Sequence, residues 1–277
     1  MRKWIGNNPD GHPAAAILVG ITVAVVVVCW RAACSQDLKI ETTSIPHLRQ
    51  TGHATQLYVD NKPFLALGGE LGNSTASDLD VLETALARCQ RMGLNTVMLP
   101  VYWDLIEPED GKFDFSLVGG AIDRARHHAL HLVYLWFGTW KNCMSCYAPG
   151  WVKRDTARFE RAKQSSGETM EIVSPESAAA NEADARAFAS LMRWTKDYDA
   201  KEQTVIMVQV ENEIGMMPEA RDHSEKSESA YKGAVPSMLL SLAQRGELGP
   251  EVGALWQKAG RKTEGTWSDV FGPGPRG

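Results

Sequence analysis

In the run Val208-Gln209-Val210-Glu211-Asn212-Glu213-Ile214-Gly215, two carboxylates flank an amide where apolar sequence gives way to loop. Paired carboxylates suit acid/base chemistry. An acid that protonates a leaving oxygen near neutral pH must be a carboxyl whose surroundings favour its protonated form. In glycoside hydrolysis one carboxyl gives that proton, and a second attacks the sugar or activates water. An adjacent amide can hold a sugar hydroxyl and tighten its grip as positive charge develops on the ring. Strand alternation puts Glu211 and Glu213 on one side and Asn212 on the other unless the strand end twists.

Three other segments end apolar runs in the same way. The first closes on Gly68-Gly69-Glu70-Leu71-Gly72-Asn73, the second on Tyr102-Trp103 and the turn Glu107-Pro108-Glu109-Asp110-Gly111, the third on Trp136-Phe137-Gly138-Thr139-Trp140-Lys141-Asn142. Aromatic faces for sugar rings and polar groups for hydroxyls are what a carbohydrate pocket needs. Trp103, Trp140, Asn142 and Glu70 are therefore candidate substrate-binding residues. Most tryptophans simply fill core, and Glu107, beside a proline in a turn, reads as a residue that caps or pairs within its loop.

Regular elements must bring these ends together. Thr55–Val59 is strand-like, a turn follows at Asp60-Asn61-Lys62, and Phe64–Leu67 leads into the first core strand. Leu79, Leu82, Leu86 and Cys89 form one helical stripe behind an N-cap at Ser77, closed by Gly93. Strands over Leu94–Trp103, His131–Phe137 and Thr204–Val210 alternate with helices over Leu117–Ala129 and Glu182–Lys196, the last with Ala185, Phe188, Leu191 and Met192 inward. A long loop carries Tyr147, Pro149 and Trp151. Alternation of this kind predicts an α/β fold with a parallel sheet. Beyond Gly215 residues 216–230 are polar, two helices follow at Pro236–Gln244 and Glu251–Ala259, and no fifth strand is evident. Four βα units are half of an eight-stranded barrel.

Four segments resemble the β-galactosidase-type enzymes of glycoside hydrolase family 35, with kinship to family 42. They are Gly-Gly-Glu-Leu-Gly-Asn-Ser at 68–74, Val-Tyr-Trp-Asp-Leu-Ile-Glu-Pro-Glu-Asp-Gly-Lys-Phe-Asp-Phe at 101–115, Leu-Trp-Phe-Gly-Thr-Trp-Lys-Asn at 135–142 and Val-Gln-Val-Glu-Asn-Glu at 208–213. The resemblance runs from about residue 50 to residue 270. It implies a (β/α)8 TIM-barrel type fold of which residues 37–277 are the N-terminal part, with about the first four βα units present. It further implies retaining hydrolysis of terminal β-galactosides in oligosaccharides or polysaccharides, with Glu213 as acid/base and Asn212 holding the sugar 2-hydroxyl. The family's nucleophile is a glutamate at the end of strand seven, which no position here matches. The expectation is therefore a truncated chain that is inactive by itself. The alternative is a non-catalytic, exported or membrane-tethered carbohydrate-binding protein.

Composition narrows the rest. A net charge of -5 with no basic stripe excludes nucleic acid as an expected partner. Arg2 and Lys3 precede an uncharged run, Ala14–Trp30, and then Ala32, Ala33, Cys34 and Ser35. Residues 1–36 thus read as a signal peptide or membrane anchor, and the protein as exported. Cys143 and Cys146 form one C-x-x-C, read evenly as a loop disulfide or two free thiols. No metal and no cofactor are expected: the seven histidines make no spaced ligand set, and no Gly-rich dinucleotide loop follows a strand.

Overall fold

The computed structural model describes residues 45–273. The leader expected at 1–36, with its apolar run 14–30, lies outside them. Among the described residues no helix is long and apolar enough to cross a membrane.

The described chain opens with an antiparallel hairpin, β1 (His47–Thr51), β2 (Ala54–Val59) and β3 (Lys62–Pro63). Asp60 and Asn61 turn the corner between β2 and β3 with φ of 49° and 60°, a left-handed conformation these two residue types tolerate. The core sheet follows: β4 (Gly68–Glu70), β5 (Thr96–Tyr102), β6 (His131–Phe137) and β9 (Val205–Gln209), all parallel and in chain order. A doubly wound sheet reverses its order at a switch point. This one grows in a single direction, so the described residues form an α/β arrangement of barrel type with four strands.

Helices cover one face. α1 (Leu79–Arg91) buries Leu82 and Leu86, α3 (Ser116–His127) buries Val118, Ala121, Ile122 and Ala125, and α5 (Ala178–Tyr198) buries Ala180, Ala183, Ala187 and Leu191. Against them β5 turns Val97, Leu99 and Val101, and β6 turns Leu132, Tyr134 and Trp136, all buried in one cluster. The N-cap of α1 is Asp78, not Ser77: its carboxylate accepts from the amides of Asp80 and Val81, while the Ser77 hydroxyl bonds back to Ser74. The inner stripe of α5 is also rotated from the expected one. Ala185 is exposed and Asp184 is buried, because Asp184 has partners to meet on the inner side.

The loop expected after β6 contains structure. A short helix α4 (Gly150–Arg154) and a hairpin, β7 (Arg161–Lys163) with β8 (Thr169–Val173), precede α5. After β9 come α6 (Glu225–Lys232), α7 (Ser237–Arg245), α8 (Pro250–Lys258) and α9 (Trp267–Phe271). One further helix, α2 (Trp103–Ile106), follows β5 directly. Asp222 ties the hairpin to the segment before α6, accepting from the Lys163 amide at 2.9 Å and the Ser224 amide at 2.7 Å. The start of β9 is fixed by Asp199, which is buried. Its carboxylate accepts from Arg126 at 2.6 Å and from the Val205 amide at 2.7 Å. Strands β4 and β9 each have one neighbour, so both edges of the four-stranded sheet are unpaired among the described residues.

Candidate functional site

Regular pairing of β9 stops at Gln209, and the chain then leaves the strand conformation. Glu211 has φ 60° and Glu213 has φ 52°. Left-handed backbone at a residue with a Cβ costs about 1–2 kcal/mol. Asn142 and Cys143, in the loop after β6, are also left-handed at 54° and 59°. Among the described residues, four of the nine non-glycine residues with positive φ thus sit on two facing strand ends, and strain of this kind gathers at functional sites. The twist corrects the alternation expected from sequence. Glu211 does not share a side with Glu213: Asn212 and Glu213 meet the same partner, and Glu211 turns elsewhere.

That partner is Lys141. Its ammonium donates to Asn212 Oδ1 and, at 2.5 Å, to Glu213 Oε2. Lys141 is 4% exposed, and its Nζ lies 4.9 Å from the centre of the Phe137 ring. Burying an ammonium is tolerated only where charged and polar partners meet it, and here a carboxylate and an amide oxygen do so. Asn212 is buried as well, and its Nδ2 donates to Gln209 Oε1 at 2.7 Å. The Glu213 side chain stays 56% exposed, and its carbonyl accepts from the Cys143 amide at 3.0 Å. Amide and carboxyl are therefore anchored from the end of β6 while the carboxyl still faces solvent.

Glu211 occupies a separate polar cluster behind Gly138. Asp184 on α5 accepts from Trp136 Nε1 at 2.8 Å, from the Thr139 amide at 2.6 Å and from the Thr139 hydroxyl at 2.5 Å. The Trp140 amide donates to Glu211 Oε2 at 3.2 Å. Burial, then the hydrogen bond to Asp184 and that residue's negative charge, push the Glu211 carboxyl far above the ordinary carboxylate range. Glu211 is accordingly protonated at neutral pH and donates to Asp184.

The other candidates divide. Trp140 is half-buried and lines a cavity of about 550 Å³ with Trp136, Thr139, Asp184, Phe188 and Glu211, a size that would admit a small sugar. Glu70 is exposed at the end of β4, and Asn142 is exposed beside Lys141. Trp103 is a correction. It is fully buried in the core cluster and its N–H donates to Glu107 at 2.7 Å, so it offers no face to a ligand. Glu107 serves its loop, accepting also from the Gly111 amide at 2.8 Å and from Arg186 at 3.2 Å. Cys143 and Cys146 are free thiols. Among the described residues no cluster of three or more His, Cys, Asp or Glu could hold a metal ion. A larger cleft of about 940 Å³, bounded by Arg161, Lys163, Glu176 and Lys226, includes none of the candidate residues.

Sequence reasoning passed over Lys141 and Asp184. Each carried a signal, since Lys141 is the one charge in Leu135–Lys141 and Asp184 sits amid alanines on a face that must be buried.

The sequence profile of glycoside hydrolase family 42, described as beta-galactosidase, matches residues 74–243. A beta-galactosidase of Xanthomonas manihotis is 37% identical over 62 residues, which are 22% of this chain and 10% of that enzyme. Among solved structures, beta-galactosidase from the psychrophilic Marinomonas ef1 aligns with a TM-score of 0.48 at 17% identity, covering 75% of this chain and 28% of the other. The catalytic domain of beta-amylase from Paenibacillus polymyxa aligns with a TM-score of 0.47 at 15% identity, covering 69% and 49%. The alignments thus span less than half of each relative's length.

Proposed function

The chain belongs to the beta-galactosidase family of glycoside hydrolase family 42, and on that premise we propose that it contributes the acid/base half of a retaining active site for terminal β-galactosides. Glu213 is the proton donor to the departing oxygen and, in the second half of the reaction, the base that activates water. Asn212 lies beside the sugar 2-hydroxyl, and Trp140, Asn142 and Glu70 border the bound sugar. The observation that carries this reading is the Glu213 carboxyl, exposed at the C-terminal end of β9 and held by Lys141. In parallel sheets that end of the strands bears the reacting groups. The protein is further read as exported through residues 1–36, which comparing its fate with and without that segment in fractionated cells would check.

The test uses the full reading frame. Glu213→Gln should lower kcat/KM on methyl β-galactoside by roughly 10²–10⁴-fold, the usual weight of a general acid, and far less on 2,4-dinitrophenyl β-galactoside, whose leaving group needs no proton. Equal losses on both substrates would remove Glu213 from the acid role. Binding of galactosides with no turnover by the wild type would put the non-catalytic carbohydrate-binding reading in its place.

A further inference from the structure

We propose that Lys141 is a positioning residue that fixes which oxygen of Glu213 carries the transferred proton; the inference rests on the acid/base reading of Glu213. A carboxyl on a half-exposed side chain rotates, and its two oxygens exchange places. Here Oε2 is taken by the Lys141 ammonium, which leaves Oε1 as the oxygen able to carry a proton outward. The ammonium is itself held: it is buried, it spends a second donor on Asn212 Oδ1, and the Phe137 ring lies beneath it. Asn212 is tied in turn to Gln209. The Cys143 amide fixes the Glu213 main chain from the same loop. The carboxyl is thus referenced to the ends of both β6 and β9 and does not depend on its own rotamer preference.

In the first half-reaction the proton passes from Glu213 Oε1 to the glycosidic oxygen as the bond from that oxygen to the anomeric carbon breaks. The bonding pair stays on the departing alcohol, and the anomeric carbon bonds to the nucleophilic carboxylate of the two-carboxylate mechanism. Glu213 is then an anion, and the Lys141 ammonium already faces it. In the second half-reaction water gives a proton to Glu213 as the water oxygen bonds to the anomeric carbon, and the bond to the nucleophilic carboxylate breaks with its electron pair returning to that carboxylate. A general acid depends on this placement, because proton transfer falls off sharply when donor and acceptor are misaligned.

The test compares Lys141→Met and Lys141→Arg with Glu213→Gln in the full-length protein, reading kcat/KM on methyl and on 2,4-dinitrophenyl β-galactoside. Lys141→Met should lose about 10²-fold more on the methyl glycoside than on the dinitrophenyl one, and Lys141→Arg should show a selective loss below about tenfold, because the cation is kept. If Lys141→Met lowers both substrates by the same factor while Glu213→Gln remains selective, Lys141 supports the fold only and the inference fails. If Glu213→Gln is itself unselective, the acid/base reading has failed first. Should Lys141→Met not fold by circular dichroism, Lys141→Gln, which keeps one donor, is read against the same two substrates with the same expected order.

Discussion

Glu211 and Asp184 meet over the α-carbon of Gly138, with Glu211 keeping its proton and donating it in a hydrogen bond. A Cβ built on Gly138 would lie 2.5 Å from Asp184 Oδ2 and 2.7 Å from Glu211 Oε1, so the two carboxyls close over a space only glycine leaves. The pair joins α5 to the end of β9, and through Thr139 and Trp140 it sets the course of the loop that delivers Lys141.

The shared proton makes stability depend on pH. Glu211 keeps its proton in the folded state well above the pH at which the unfolded chain gives it up. The folded protein therefore binds more protons in that window, and stability falls as pH rises from the ordinary carboxyl range toward the raised value, by up to about 1.4 kcal/mol per unit. Glu211→Gln, a neutral group of the same shape, should flatten this dependence and unfold at a higher denaturant concentration than wild type at pH 8. Parallel curves for the two proteins between pH 5 and pH 8 would show that no proton is shared.

Gly138→Ala places a methyl group among the Trp136 indole N–H and both carboxyls. Overpacking of this kind costs about 1–3 kcal/mol, and here hydrogen bonds are displaced as well. The melting temperature should drop by several degrees. An unchanged value would mean that the cluster is looser than its distances imply.

Glu107→Ala removes a fully buried carboxylate that accepts from Trp103, Gly111 and Arg186. Stranding the buried indole N–H should cost about 1–3 kcal/mol with no change in substrate selectivity, since Arg186 keeps its ion pair with Asp110. A shift in the ratio of kcat/KM values between the two galactosides in the folded variant would instead place Glu107 in the pocket.

Much of the scaffold was legible because it is periodic. The apolar stripe of α1 and the unbroken runs that became β5, β6 and β9 announce their faces and their order. The β7–β8 hairpin was passed over although Thr169, Met170, Glu171, Ile172 and Val173 begin with alternating exposed and buried positions, since the polar residues on β7 dilute the pattern. Glu213 and Asn212 were legible as a motif, but their shared partner was not. Lys141 lies about seventy residues away in sequence, and only parallel pairing in register sets it beside them. The separation of Glu211 from Glu213 depends on two left-handed residues, a conformation that no glycine or proline marks in advance. Trp103 was misread because residue type gives affinity for a sugar face, whereas burial decides whether that face is available.

The unpaired backbones of β4 and β9 have a further consequence, for handling and for cellular fate. Each edge exposes a row of amides and carbonyls, and at the β9 edge Met207 and Val210 are exposed beside it. Such a sheet is a template with two growing ends. Any extended segment of suitable register can add to it, whether from elsewhere in the same polypeptide or from a neighbouring molecule. Concentration then bears on whether the two edges of residues 45–273 stay open.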